Sequence, residues 1–430
     1  MKRRLMLGAG AALALPLAGG LAGCGRRGGD RLRFWAMGRE GEVVRELLGD
    51  FHAAHPGIRV EVEQLPWSAA HEKLLTAFAG DATPDIAQLG NTWLPEFVAL
   101  GALEPLDAYA AGQGGTPPVD TGDYFGGIWA TNRLEGRLWG LPWYVDTRLL
   151  FYRRDLLREA GFERPADDWA GWKQQLQAIK RVVGRERYAV LLPLNEFEPL
   201  VALALGNPEE QIFLRDGGRH GHFRGPAFTR TLDFYLSLYA EQLAPPATSN
   251  QIANVWNEFA RGYFSFYITG PWNIGEFRRR LPAELQDAWA TAPLPGPFGP
   301  GSSIAGGSSL AIFQRSERKA EAWALVNHLS RPEVQQRFRQ LTGNLPPRRS
   351  AWEEAELKAD PHSAAFRRQL ERVRPVPQVP EWERIATELR VVLEGVVHGD
   401  IAAARMPVEM DRRADRILDK RRWMLARAAG

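Results

Sequence analysis

Four carboxylates, Asp146, Glu196, Glu198 and Glu258, stand in a chain unusually rich in tryptophan, and acids beside aromatics are what sugar chemistry uses. Two carboxyls about 5 to 9 Å apart would suffice to cleave a glycosidic bond. Spacing along the chain leaves that reading open, although each acid taken singly reads better as a solvated loop residue or a hydrogen-bond acceptor than as a catalyst. Other catalytic readings find no support. The histidines of H52-x-x-H55 and H220-G-H222 lack the i, i+4 pair with an intervening Glu that a hydrolytic zinc helix needs, and a chain with one cysteine has no C-x-x-C. There is no G-x-S-x-G elbow and no G-x-x-x-x-G-K-[ST], and the glycines of GPFGPG lack dinucleotide spacing. No metal and no cofactor is expected.

The aromatic side of the question centres on residues 268–277, ITGPWNIGEF. The preceding YFSFY has the composition of a strand, so the chain leaves a sheet at Gly270 and opens a helix at Pro271. Trp272 then falls in the first helical turn, at a corner where exposed tips lie. Fifteen Trp in one chain exceed what packing requires, and an indole is costly to leave wet unless something binds on it.

The elements that must hold these residues alternate. RLRFWAM (31–37) reads as a strand, EVVRELLGDFHAA as a helix, IRVEVEQ (58–64) as a half-buried strand, HEKLLTAFA (71–79) as a helix and TPDIAQLG (83–90) as a short strand. Strands alternating with helices imply a parallel sheet covered on both faces, an α/β architecture. RLWGLPWYVDTRLLFY (137–152) supplies two short strands around Pro142. A helix then carries Trp169, Trp172, Leu176, Ile179 and Val183 on one face, before a strand YAVLLPL and helices near 226–242 and 252–261. Turn-rich breaks at 110–123 and 293–309 divide the chain, and the strand LAIF and the helix ERKAEAWALVNHL follow the second. Two lobes are expected, residues 30–143 with 304–344 and residues 147–300 with 348–430, with crossings near 144–147, 300–304 and 344–348.

Lys2, Arg3 and Arg4 precede an apolar stretch ending in LAGC, which reads as residues 1–23 of an export signal with Cys24 as the lipid-bearing residue. Acyl chains there would hold the exported protein at a membrane surface, periplasmic or exterior, without a spanning helix. Removing the three basic residues of the signal from 54 leaves 51 Lys+Arg against 51 Asp+Glu. A formally neutral chain without a basic stripe is no nucleic-acid binder. The basic C-terminal stretch DRRADRILDKRRWMLARAAG reads as the solvated face of a terminal helix.

Four segments, in order, resemble the sugar-binding family of solute-binding proteins of bacterial ABC transporters, the maltose- and trehalose-binding group: TPDIAQLGNTWLPEFVALGALEPLD, GRLWGLPWYVDTRLLFYRRDLLREAG, FYITGPWNIGEF and AGGSSLAIFQRSERKAEAWALVNHLSRPEVQQRF. NLPPRRSA and the lipoprotein signal extend the likeness over most of the exported chain, although Arg153 stands where the family has Asn. The resemblance implies a two-lobed periplasmic-binding-protein-like fold, each lobe a mostly parallel sheet flanked by helices, and no catalysis. It implies a monomer that binds a di- or oligosaccharide, such as an α-glucoside, and delivers it to permease subunits. The rival readings are a secreted glycoside-active enzyme and a surface interaction lipoprotein.

On this resemblance Trp272 is an aromatic platform for the C–H face of a pyranose, and Asp146 accepts two neighbouring hydroxyls. Asn91, Thr92 and Trp93 sit at the carboxyl edge of a strand, where open α/β sheets bind ligands, and Arg39 and Glu40 occupy the equivalent edge of the first strand. Gly306 and Gly307 let backbone amides approach a ligand or serve as a hinge. Trp382 is a second platform and Arg348 reaches the cleft. Trp143, Tyr144, Asn195, Glu196 and Trp256 complete the candidate set, with packing an equal explanation for each.

Overall fold

A computed structural model describes residues 31–428 apart from 114, 116 and 253. Cys24 and its leader lie outside the described residues. Two sheets organise the chain. The first runs in the order Val60–Leu65, Leu32–Met37, Ile86–Gly90, Gly306–Ile312, Leu141–Asp146. The second runs Trp289–Ala292, Leu149–Arg153, Phe264–Thr269, Tyr188–Leu191. In both, alternate side chains feed different cores: Phe34 and Ala36 pack on one face of the first sheet and Trp35 and Met37 on the other, while Leu150 and Tyr152 part from Leu149 and Phe151 in the second. A sheet apolar on both faces must be covered on both, which is what the helices do.

The two-lobed α/β fold expected from the sequence is present, and each sheet is mixed. The strands Leu32–Met37, Val60–Leu65 and Ile86–Gly90 are parallel, but Gly306–Ile312 returns from the other lobe and runs antiparallel to both its neighbours. In the second sheet only Phe264–Thr269 and Tyr188–Leu191 are parallel. Strands that enter through a crossing arrive against the direction of those wound within the lobe.

Pro142 does not separate two strands. It lies inside Leu141–Asp146, an edge strand, where a missing N–H costs least. The ladder steps from Tyr144 opposite Ser308 to Pro142 opposite Ser309, leaving Trp143 as the extra residue of a bulge. The strand break comes instead at Thr147 and Arg148, where the chain passes from one sheet to the other. The C-terminal stretch is likewise two helices, Met406–Ile417 and Asp419–Ala428, rather than one.

Candidate functional site

Between the lobes lies a cavity of about 470 Å³, within the usual range for small-molecule sites; most strands reach it by their carboxyl ends, and Gly306–Ile312 and Leu149–Arg153 by their amino ends. The first lobe brings Glu40 after strand Leu32–Met37, Trp67 after Val60–Leu65, Asn91 to Trp93 after Ile86–Gly90, and Tyr144 and Asp146 on Leu141–Asp146. The second brings Glu198, Trp272 and Glu383 from helix starts. These helix starts bring side chains from distant parts of the chain to a common rim.

Three indoles are seated on glycines. A Cβ on Gly270 would lie 1.8 Å from Cζ3 of Trp272, so only glycine lets that ring fold back over the strand exit. The same substitution at Gly90 would bring a Cβ to 3.2 Å from Trp93, and at Gly38, where φ is +47°, to 3.0 Å from Trp67. Trp67 and Trp93 meet edge to face, with centroids 5.7 Å apart and planes at 65°. Trp272 stands apart from them, with the Arg148 guanidinium 4.7 Å from its ring centroid.

Arg148 also holds acids of both lobes. Its Nη1 donates to Asp146 Oδ1 and its Nη2 to Glu198 Oε1, at 3.3 Å. Burial pushes the Asp146 carboxyl above its ordinary value, and Arg148 opposes the shift. Glu196, nearby, is raised to about 7 by burial against the same opposing Arg148. Glu40 is only 7% exposed. Burial raises its carboxyl too, against neutral donors that include Asn344 Nδ2 at 2.7 Å and the Trp67 indole N–H. Glu383 is raised by burial, with Thr92 and the His71 ring opposing the shift. Aromatic faces walled by carboxylate and amide groups suit a ligand with an apolar face and a hydroxylated edge.

Residues 37–336 match the family described as bacterial extracellular solute-binding protein. The chain belongs to that family. Its fold closely follows the structure of the sugar-binding protein MalE from Xanthomonas citri, 52% identical, with a TM-score of 0.88 over 92% of this chain and 99% of that one. It is 23% identical to the diacetylchitobiose binding protein DasA of Streptomyces coelicolor, over 96% of this chain and 99% of that protein. An uncharacterized lipoprotein from the oleD 5′ region of Streptomyces antibioticus is 27% identical over 90% of this chain and 87% of its own length. Membership makes the protein a solute-binding protein rather than an enzyme.

In this solute-binding protein the cavity gathers Trp272, Asp146, Asn91, Thr92, Trp93, Glu40, Tyr144, Gly306 and Gly307 from among the residues singled out in the sequence. Asn91 faces inward to structure as well, its Nδ2 donating to the Ala305 carbonyl at 2.7 Å. The two glycines have a second reason to be there. A Cβ on Gly306 would sit 1.9 Å from the Asp146 carbonyl, and on Gly307 2.2 Å from that of Tyr144, so the strands themselves demand glycine.

The other candidates are engaged in the fold. Trp382 touches the cavity but is 1% exposed and packs on Phe213, so its ring faces serve the core and not a second platform. Arg39 points to solvent and pairs with Glu42 at 2.8 Å. Arg348 donates to Asp123 at 2.6 Å and to the Ser330 carbonyl, a structural engagement away from the cleft. Trp143 is buried and stacked on Phe338, Asn195 bonds Ser249, and the Trp256 indole N–H donates to Asn273. Glu196 acts on Arg148 through its charge and is not among the residues of the cavity wall.

Trp67, Arg148, Asn344 and Glu383 are cavity residues that the sequence reading passed over, and Glu198 it weighed only as a catalytic acid. Trp67 carried a usable signal: it follows the strand end as Trp93 does, two residues after Leu65. Arg148 had one as well, two residues beyond Asp146 at the crossing.

Proposed function

We propose that this protein captures a di- or oligosaccharide between its lobes and delivers it to a membrane permease, acting as a monomer tethered through lipid on Cys24. The observation that carries the reading is the seating of Trp272, Trp93 and Trp67 over glycines in one interlobe cavity edged by Asp146, Glu198, Asn91 and Glu40. A pyranose offers an apolar face to an indole and paired hydroxyls to carboxylates that only accept. The likeness to a sugar-binding protein of Xanthomonas citri supports the ligand class, and the family resemblance favours an α-glucoside such as maltose or trehalose. The LAGC segment and the relative described as a lipoprotein support the anchor.

Calorimetric titration of the purified protein against a panel of mono-, di- and oligosaccharides tests the reading. Binding at a micromolar dissociation constant, about −8 kcal/mol, is expected for at least one of them. Silence across the panel sinks it. For the anchor, Cys24→Ala should move the protein from the membrane fraction to the soluble exported fraction.

A further inference from the structure

We propose that the Trp67–Trp93 end of the cavity is built for a sugar ring bearing a basic nitrogen, so that an amino sugar binds more tightly than its neutral counterpart and a phosphorylated one is rejected. This rests on the carbohydrate reading above.

The charge balance of the cavity leads to it. Four carboxylates, Glu40, Asp146, Glu198 and Glu383, line the cavity together with one guanidinium. That cation, Arg148, is committed: it bridges Asp146 and Glu198 and lies over Trp272. Nothing positive is left on the wall for a phosphate or a uronate.

Glu40 and Glu383 belong to the other end. Glu40 lies beside Trp67, a Cβ built on Gly38 falling 3.0 Å from the indole Nε1 and 3.3 Å from Glu40 Oε2, and Glu383 shares the cavity wall with Thr92, the residue before Trp93. Their polar neighbours are otherwise neutral, and His71, the one base that acts on Glu383, is itself engaged by Glu96 at 2.8 Å. Burial raises both carboxyls; no cation opposes the shift at Glu40, and at Glu383 only the His71 ring does. A buried carboxylate lacking a counter-charge is costly, and a ligand ammonium supplies one. The two indoles, edge to face at 5.7 Å, add the negative π-faces that attract an ammonium. Hydroxyls can satisfy the same acceptors as hydrogen-bond donors, but only a cation also meets the charge.

The test is calorimetry on the full exported chain at pH 7 with matched probes: trehalose, 6-amino-6-deoxytrehalose and trehalose 6-phosphate, and N,N′-diacetylchitobiose against chitobiose with free amines. In at least one pair the amine should bind about tenfold more tightly than its neutral partner, with the phosphate at least about tenfold weaker than trehalose. E383Q, and E40Q with it, should shrink the amine's advantage to less than about twofold, with thermal melts confirming that the variants fold. If a variant does not fold, the wild-type ratios alone decide. Amines that bind no better than their neutral partners overturn the inference, as does an advantage that survives the double substitution. Silence from all five probes while another panel sugar binds overturns it and leaves the carbohydrate reading standing; silence across the whole panel overturns both.

Discussion

The indole of Trp272 occupies its place because residue 270 has no side chain, and this makes two substitutions report on one surface. Trp272→Ala removes the proposed platform, and Gly270→Ala evicts the ring from its seat. Each should weaken saccharide binding at least about tenfold, about 1.4 kcal/mol, in a calorimetric titration. Unchanged affinity in both would mean that the corner is only structural. Glu196 makes a different prediction. Its carboxyl titrates near 7 in the folded protein against 4.5 as a free side chain, because burial penalises the charged form. Between those values the native state binds the extra proton, so stability falls as pH rises through this window and is not regained above it. Glu196→Gln should therefore flatten the stability profile from pH 4.5 to 7 and gain on the order of 1 kcal/mol at pH 8, discounted for partial exposure, by denaturant unfolding. At this scale the sequence was legible where a residue's neighbours in the chain also decide its neighbours in space. Trp272 and Trp93 sit within three residues of their glycines, whereas the glycine under Trp67 is Gly38 and the partner of Glu40 is Asn344. Long-range pairings of that kind leave no trace in local spacing.

Element types followed from periodicity nearly throughout, because alternation of apolar residues sets the strands and a helical stripe such as Trp169, Trp172, Leu176 and Ile179 sets the helices. What periodicity does not carry is direction and pairing. The strand Gly306–Ile312 lies between Ile86–Gly90 and Leu141–Asp146 although more than 150 residues separate it from either, and nothing local announces that it runs against them. The Pro142 expectation failed for a related reason: proline excludes a central strand, but an edge strand with a bulge admits it. Gly306 and Gly307 mark where this inserted strand leaves the crossing. With added Cβ atoms at 1.9 and 2.2 Å from backbone carbonyls, Gly306→Ala and Gly307→Ala must push the strand Leu141–Asp146 away. Losses of about 2–4 kcal/mol are expected for each, by equilibrium unfolding in urea. A cost below about 0.5 kcal/mol would show that the crossing is plastic and that the glycines serve the ligand alone.

For the whole molecule the crossings bring the cavity and the joint between lobes into one place. Val145 donates its N–H to the Leu345 carbonyl at 2.9 Å, and Ser303 Oγ donates to the Arg148 carbonyl at 2.6 Å, so three chain passages are tied together beside the residue that bridges Asp146 and Glu198. Hinge closure around a ligand is the motion of periplasmic binding proteins. A ligand drives it only through contacts it makes in the closed state and not in the open one. The cavity residues are divided between the lobes: Asp146, Glu40 and Trp93 belong to one, Glu198, Trp272 and Glu383 to the other. A saccharide held by both should reduce the radius of gyration in solution scattering and, at a hundred times its dissociation constant, add about 2.7 kcal/mol of stability. Trp272→Ala should then lose compaction at a saturating sugar concentration as well as affinity, because the second lobe has lost its grip while the first still binds. Saturation of that variant with full compaction would place the closing force elsewhere, on Glu198 and Glu383, and the same scattering measurement on their Gln variants would locate it.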